Sequence, residues 1–250
     1  MRPIAAIVPG LEARAWEYAD LPKEPFFVSC TLETPYVRGF DGPAVPLDTR
    51  LALGLKLSLP VEPEFPPEGL IFPLPIELIW QSPEGLPLWA TSDLRPVGKF
   101  HPFIEYTHKR HPRDRVWLCE RPNAQTSTGR WAERRTAIPL IATKSLAALA
   151  IGHRETAMDL IRRLTHVSKA ASIGRGLVRH WQVETMLNMS LEEAKAIILR
   201  SRPVPIGALS EMPSIPDGAA IAPRGWTPPV WKTDWHHPCL LPPDWQEVDR

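Results

Sequence analysis

The stretch HVSKAASIGRGLVRHWQVE, residues 166–184, is the best starting point for interpreting this 250-residue chain. Its second half, LVRHWQVE, has the two-residue period of a half-buried strand, with Trp181 and Val183 on the same side. Its first half is a run of small residues that ends in Gly174 and Gly176. The sequence therefore predicts a glycine loop that leads directly into a strand.

Helical periodicity is found in three other segments. Apolar residues recur three and four positions apart in GHRETAMDLIRRLTH and in LDTRLALGLKL, which predicts an amphipathic helix in each. A third helix begins with a capping box, because Ser190 is followed by Glu193 at the third helical position, and it extends to about Arg200. The apolar positions that define the first two helices are Ala157, Ile161, Leu164, Leu47, Leu51 and Leu55.

The remaining apolar segments predict strands. FFVSCTLE, residues 26–33, alternates strictly, and TAIPLIAT, residues 136–143, is interpreted as a strand that resumes the same sheet. Residues 71–80 and 86–92 are separated by QSPEG, which favours a hairpin with irregular strands. The order strand, helix, hairpin, strand, helix, strand predicts an α+β, ferredoxin-like (RRM-like) split βαβ domain.

The domain boundaries follow from composition. We expect an N-terminal lead over residues 1–25, a ferredoxin-like domain over 26–200 with a projecting insertion at 93–136, and an extended C-terminal segment over 201–250. Proline accounts for 30 of the 250 residues, more than twice the usual ~5%. The last fifty residues hold ten prolines and four tryptophans, which predicts an ordered, extended wrap against the domain or against a partner.

Charge is strongly segregated although the whole chain carries only +1. Residues 95–135 contain ten basic and four acidic residues, a net charge of +6, and residues 162–181 contain five basic residues and no acid. Such segregation is typical of a phosphate-binding face, and the alternative is a solvated basic loop.

The glycine loop is the sharpest candidate site. Gly174 and Gly176 would permit a positive φ or close approach of the backbone to a ligand, while Arg175 supplies charge, a combination that suits phosphodiesters. The alternative is a tight helix-to-strand turn. The candidate phosphodiester-binding residues are Lys169, Ser172, Gly174, Arg175, Gly176, Arg179, Arg162 and Arg163. The candidate nucleic-acid contacts in the insertion are Lys99, Lys109, Arg110, Arg113, Arg115, Arg130, Arg134 and Arg135.

Cysteine usage argues against a disulfide framework or a four-cysteine zinc site, because Cys30, Cys119 and Cys239 are spread widely and form no C-x-x-C pair. Cys239 with His236 and His237 leaves open a metal site, against the simpler reading of a surface turn. We expect no cofactor. No apolar run approaches a membrane span or a signal peptide, which predicts a cytoplasmic protein without a membrane partner.

Several of these stretches together resemble a known family. TLETPYV (31–37) followed by VPLDTRLAL (45–53), GRWAERRTAIPLIATKSL (129–146), the loop and strand at 166–184, and GWTPPVW (225–231) are similar to the RAMP-type subunit of type IV CRISPR effector complexes. That subunit caps the 5′ end of the guide RNA. The most specific part of the resemblance is the loop and strand.

The resemblance implies a non-catalytic RNA-binding subunit of an antiviral and anti-plasmid ribonucleoprotein. It implies that the sheet and the glycine loop hold the 5′ handle of the guide RNA, so that the phosphodiester-binding candidates become RNA-binding residues, and that the insertion acts as a thumb. It also implies target DNA near the flanking motif, a large subunit and backbone subunits as partners. The competing class is a metal-independent ribonuclease that processes repeat RNA, and a protein-binding scaffold is a third class that leaves the basic tracts unexplained. The ribonuclease would draw on His101, Tyr106, His108, His111, His166 and His180.

Overall fold

The computed structural model describes residues 6–7, 10–37, 44–59, 70–109, 134–168, 174–217, 219–228 and 236–242. Its helices are α1 (Glu12–Asp20), α2 (Leu47–Leu57), α3 (Arg154–Ile161) and α4 (Leu191–Arg200), with a short 3-10 helix at Ile206–Glu211. Its strands are β1 (Ala6–Ile7), β2 (Glu24–Leu32), β3 (Tyr36–Val37), β4 (Val45–Pro46), β5 (Leu70–Ile71), β6 (Leu78–Gln81), β7 (Pro87–Trp89), β8 (Asp93–Pro96), β9 (His101–Lys109), β10 (Arg134–Ala142), β11 (Ser145–Gly152), β12 (Val178–Thr185), β13 (Val204–Pro205), β14 (Ala220–Arg224) and β15 (His237–Leu241).

The central sheet of the described residues has the spatial order β12-β2-β11-β8-β4, and every neighbouring pair is antiparallel. β2 and β8 therefore run parallel, with β11 between them and α2 in the connection that joins them. β11 and β12 are likewise parallel, with β2 between them and α3 in their connection. Two βαβ units thus interlock, and the α+β class predicted from the sequence is confirmed.

Several predicted elements are confirmed with small shifts in their bounds. The alternation in β2 buries Phe26, Val28, Cys30 and Leu32 on one side of the strand. The capping box of α4 is complete, because the Ser190 hydroxyl accepts from the Glu193 amide at 3.2 Å and the Glu193 carboxylate accepts from the Ser190 amide at 2.9 Å. β6 and β7 form the predicted hairpin, but as a separate two-stranded sheet, so its expected place in the central sheet is wrong.

α2 and α3 cross with their backbones in close contact. Leu47, Leu51 and Leu55 are fully buried along α2. A Cβ on Gly54 would lie 2.3 Å from the carbonyl oxygen of Leu160, so only glycine permits this helix crossing. Leu160 itself belongs to the main apolar core.

The prediction that residues 136–143 resume the central sheet is wrong. β10 pairs with β9 and β3 in a separate three-stranded sheet, and the strand that returns to the centre is β11. The alanine-rich sequence of β11, SLAALAIG, gives no strand signal of its own, since alanine favours helices. Its burial between β2 and β8 determines its conformation.

The projecting insertion is a long β-hairpin. Nine residue pairs join β9 to β10, from His101 opposite Ala142 to Lys109 opposite Arg134, a length of about 30 Å. The expected bounds of 93–136 differ from this, because residues 93–96 form β8 inside the central sheet and the hairpin strands continue to Ala142. The hairpin emerges between β8 and β11.

The described part of the C-terminal segment, residues 201–217, 219–228 and 236–242, packs against the domain, which is one of the two expected arrangements. It is not merely extended, because β13, β15 and β14 form a small antiparallel sheet. This sheet packs on the β6–β7 hairpin through a second apolar cluster that includes Leu88, Trp226 and Cys239. The tryptophans at 231, 235 and 245 lie outside the described residues.

A buried ion pair fixes this segment to the domain. The guanidinium of Arg202 donates to the Asp48 carboxylate at 2.9 Å, and the two side chains are 3% and 1% exposed. It also donates to the carbonyls of Trp89, at 3.0 Å, and Thr91, at 2.9 Å, and to the carbonyl of Trp226. We call this group the Arg202 clamp.

The expected N-terminal lead contains a helix. α1 occupies residues 12–20, and Leu11, which precedes it, is fully buried in the main core. Among the described helices, none combines the length and apolar character that crossing a membrane requires.

Candidate nucleic-acid interface

The candidate site lies at the end of the central sheet where β2 finishes and β12 begins, since Leu32 and Val178 are register partners. Three chain segments meet there. They are the turn after β2 (residues 33–35), the turn after α3 (residues 165–168) and the glycine loop (residues 174–177).

The glycine loop is hydrogen-bonded on both sides. Towards the first turn, the amide of Gly176 donates to the Pro35 carbonyl at 2.8 Å, and the amide of Leu177 donates to the Thr34 hydroxyl at 2.9 Å. Towards the second turn, the amide of Val167 donates to the Gly176 carbonyl at 2.9 Å. The loop backbone is therefore held in place without any ligand.

Gly176 is the buried glycine of the loop. Its φ is +71°, which confirms the predicted positive φ, and a Cβ there would lie 2.8 Å from the hydroxyl oxygen of Ser168. Its amide is already bonded to Pro35. What Gly176 provides is close packing of the loop on the turn after α3, and not a free amide for a ligand.

Gly174 is the exposed glycine. Its φ is +70°, and a Cβ at this position would meet no atom within 4 Å. Its carbonyl accepts from the Thr34 hydroxyl at 2.9 Å, which fixes its orientation. Of the two glycines, Gly174 is the one that leaves an open approach to the loop.

Arg175 reaches across to the hairpin. Its guanidinium forms an ion pair with Glu105 of β9 through Nη2 and Oε1, and the two side chains are 26% and 32% exposed. The Ser168 hydroxyl donates to the Arg175 carbonyl at 3.1 Å and holds the backbone beneath it. The only loop arginine is thus paired with a carboxylate 70 positions away, a partner that the sequence analysis missed.

The other predicted basic residues of this region surround the loop. Arg162 and Arg163 are exposed at the end of α3, and Arg179 is exposed at the start of β12. The turn between them is fixed by two contacts: Val178 donates to the Thr165 carbonyl at 2.8 Å, and the Trp181 indole donates to the Leu164 carbonyl at 2.8 Å. These contacts bring the three arginines to the same end of the sheet as the loop.

A shallow depression of about 390 Å³ lies beside this basic group, between α3 and β12. Met158 and Val183 contribute apolar surface, and Arg154 and Arg162 contribute positive charge. Glu155 and Asp159 also line it, so its charge is mixed.

The hairpin places its basic residues further out. Lys99 is exposed just before β9, while Lys109, Arg134 and Arg135 lie at the outer end of the ladder. That end is four residue pairs, about 14 Å, beyond Glu105. Lys169, Ser172, Arg110, Arg113, Arg115 and Arg130 lie outside the described residues.

Exposed apolar side chains lie on and just before β9, and of these only Tyr106 was considered from the sequence, as a ribonuclease residue. Phe103, Ile104 and Tyr106 are 42%, 58% and 49% exposed, and Phe100 just before the strand is 44% exposed. Consecutive residues of a strand face opposite sides, so Phe103 and Tyr106 present their rings on different faces of the hairpin. The signal was available in the string FHPFIEY, residues 100–106.

The histidines considered for ribonuclease chemistry lie on separate elements. His101 is exposed on β9, His180 is exposed on β12, and His166 shares a hydrogen bond of 2.9 Å with the Thr165 hydroxyl. Within the described part of the chain, none of these three bonds to another histidine. Tyr106 lies on β9. His111 and the side chain of His108 lie outside the described part of the chain.

The cysteines of the described residues are buried. Burial raises the pKa of the Cys30 thiol and that of Cys239 to about 12. The Cys239 sulfur lies 3.5 Å from the Arg224 carbonyl, which accepts from it. No group of three potential metal ligands was found in the described ranges, and these include His236, His237 and Cys239.

Comparison with known proteins identifies no family for this chain. No protein-family model matches the chain, and no curated protein does. Among solved structures, the chain is similar to one in "Cryo-EM structure of the Type III-B Cmr-beta bound to cognate target RNA", with 14% sequence identity and a TM-score of 0.36. The match covers 72% of this chain and 69% of that chain. A similarity at this level defines neither family nor function.

Proposed function

We propose that this protein is a non-catalytic RNA-binding subunit of a type IV CRISPR ribonucleoprotein, built on a ferredoxin-like (RRM-like) RAMP domain. The observation that carries the proposal is the meeting of three features at one end of the sheet. A loop with two positive-φ glycines, a group of exposed arginines and the middle of a long hairpin all lie there. The interlocked βαβ units support the ferredoxin-like assignment.

In this role the glycine loop and the arginines at 162, 163 and 179 would hold the 5′ handle of the guide RNA. Arginine guanidinium groups bind phosphodiesters through charge-assisted hydrogen bonds. The hairpin would act as the thumb, with Phe103 and Tyr106 available to stack on unpaired bases. The basic tract beyond it would contact target DNA near the flanking motif, and the large and backbone subunits would be the protein partners.

The test is binding of the purified protein to fluorescein-labelled repeat RNA, followed by anisotropy over a series of salt concentrations. The logarithm of affinity should fall with the logarithm of salt at a slope of about −0.7 for each phosphate contact. Arg163→Glu should weaken binding on the order of ten-fold, because it replaces an attraction by a repulsion. A slope near zero would contradict the proposal.

A matched control is Lys23→Glu. Lys23 precedes β2, about 30 Å along the strand from the glycine loop, so the same charge reversal there should leave affinity nearly unchanged. Equal losses in the two variants would mean that only net charge matters. The same samples run on a denaturing gel should show intact RNA, and cleavage would favour the ribonuclease.

Assembly is tested separately. The protein co-expressed with the other effector subunits should purify in one complex, and sequencing of the bound RNA should recover guides with a common 5′ handle. If the complex purifies with this chain present but the chain makes no contact with the RNA, a scaffold function would be favoured.

A further inference from the structure

The contact between Arg175 and Glu105 is incomplete. It is made through one guanidinium nitrogen and one carboxylate oxygen, Nη2 and Oε1. The Nε of Arg175 and the Oε2 of Glu105 are both shielded from solvent and have no hydrogen-bond partner among the described residues. The pair therefore lacks the two parallel bonds of a bidentate arginine–carboxylate contact.

A phosphodiester could use this arginine more fully. Its two non-bridging oxygens match the spacing of Nε and one Nη nitrogen, so both donors would be satisfied. We propose that Arg175 is an anion subsite for an RNA phosphate, that Glu105 occupies this subsite in the free protein, and that Glu105 thereby sets the loop's affinity for phosphate. The identity of the ligand rests on the proposed function, whereas the competition between carboxylate and phosphate does not.

The backbone directly before Arg175 is exposed. At Gly174 no atom of the described residues lies within 4 Å of the place where a Cβ would be. The backbone below is fixed by Ser168, so the arginine can change partners without rearrangement of the loop. The Arg175 and Glu105 side chains are 26% and 32% exposed, so part of each side chain faces solvent although Nε and Oε2 are shielded.

The exchange also affects the hairpin. Glu105 lies on β9, so its contact with Arg175 ties the middle of the hairpin to the glycine loop in the absence of ligand. A phosphate on Arg175 would release Glu105, and the repulsion between the phosphate and the carboxylate would favour movement of the hairpin away from the loop. RNA binding would therefore break only the weak ion pair between Arg175 and Glu105 that exists in the free protein.

The first experiment uses a short fluorescein-labelled oligouridylate and the full chain. Glu105→Gln should tighten binding by about five-fold at low salt, the factor expected when a partly exposed competing ion pair is removed. The control Glu192→Gln removes the same charge from an exposed position beyond the far end of β12, and it should change affinity less than two-fold. In an Arg175→Gln background, Glu105→Gln should no longer tighten binding.

The proposal is overturned if Glu105→Gln has no effect, if Glu192→Gln has an equal effect, or if the gain persists without Arg175. Glu105→Ala provides a second variant should the glutamine variant fold poorly. Failure of the unmodified protein to bind any RNA would count against the proposed function, and the second experiment then decides the inference alone.

The second experiment follows the Arg175 Nε–H resonance by NMR during titration with inorganic phosphate. The resonance is identified by its loss in Arg175→Gln. It should shift at phosphate concentrations about five-fold lower in Glu105→Gln than in the unmodified protein. Identical titrations in the two proteins would show that Glu105 does not compete for the subsite.

Discussion

Arg202 and Arg175 each join distant parts of the chain through a carboxylate, and their surroundings differ in kind. Arg202 is 3% exposed and donates to the Asp48 carboxylate and to the carbonyls of Trp89, Thr91 and Trp226. Arg175 is 26% exposed and pairs with Glu105 through one nitrogen. The first arginine is buried among several acceptors, while the second is partly exposed and its guanidinium has one partner among the described residues.

The difference shows how one residue type serves two purposes. A guanidinium whose donors are shared among several fixed acceptors cannot change partner without leaving them unpaired, so it acts as a structural connection. A guanidinium with a single, partly exposed partner can exchange that partner for another anion at little cost. Burial and the number of acceptors, rather than the charge itself, separate the clamp from the candidate site.

The largest expected effect concerns the Arg202 clamp. Arg202→Met should lower the free energy of unfolding by about 3–5 kcal/mol, because it leaves the Asp48 carboxylate buried without its partner. Urea denaturation followed by tryptophan fluorescence measures the change. Combining Arg202→Met with Asp48→Leu should recover part of the loss, and a double variant as unstable as the single one would argue against the clamp.

The next largest effect is expected for substitution of the two loop glycines, which should differ in how much stability they lose. Gly176→Ala should cost about 3 kcal/mol, since it adds a clash with Ser168 to the strain of a positive φ. Gly174→Ala should cost only about 1 kcal/mol, because its Cβ would meet open space. Thermal unfolding of both variants checks this order, and equal losses would contradict the different roles given to the glycines. For that reason Gly174, and not Gly176, is the position at which to test RNA contact.

A pH dependence should follow from the buried thiols. Burial raises the pKa of Cys239 in the C-terminal sheet, and of Cys30 in β2, to about 12, while unfolded cysteine titrates near ~8.5. The folded chain therefore keeps these protons while the unfolded chain loses them. The stabilisation is complete below about pH 8.5 and is lost as the pH rises, by up to about 1.4 kcal/mol per pH unit for each thiol.

Denaturation curves between about pH 8 and pH 10 measure this slope. Cys239→Ala and Cys30→Ala should each remove about half of it. A stability that stays constant over that range in the unmodified protein would show that the thiols are not shielded as described.

The smallest expected effect is that of the second ion pair on stability. Arg175→Gln should change the free energy of unfolding by less than about 1 kcal/mol, in line with other partly exposed ion pairs. This is measured alongside Arg202→Met in the same urea series. A loss comparable to that of Arg202→Met would erase the distinction between the clamp and the site.

The sequence predicts those elements whose signals are local. The alternation in β2, the capping box of α4 and the positive φ of both loop glycines each depend on a few neighbouring residues, and all are confirmed. β11 was missed because its alanine-rich sequence becomes a strand only through burial between two others. β8 was missed because its four residues lie between prolines and a basic tract.

The candidate site divides in the same way. Its glycines and arginines were identified from composition and spacing, which are visible in one stretch of sequence. Glu105 was not, because its partner lies 70 positions later and the two meet only when the hairpin lies against the loop. The same holds for the Arg202 clamp, whose members come from α2, β7 and the C-terminal segment.

The sequence separation within that clamp bears on how the protein folds. Asp48 and Arg202 are 154 positions apart, so during synthesis the carboxylate is made long before its partner. Until Arg202 arrives, burying the start of α2 would leave the Asp48 carboxylate without its buried ion-pair partner, which opposes premature closure of the core. Such a late, long-range contact slows folding and makes it cooperative, because the core becomes fully stable only when both ends of the pair are present. The N-terminal two thirds of the chain should therefore remain loosely packed on the ribosome and exposed to chaperones until the last strands emerge.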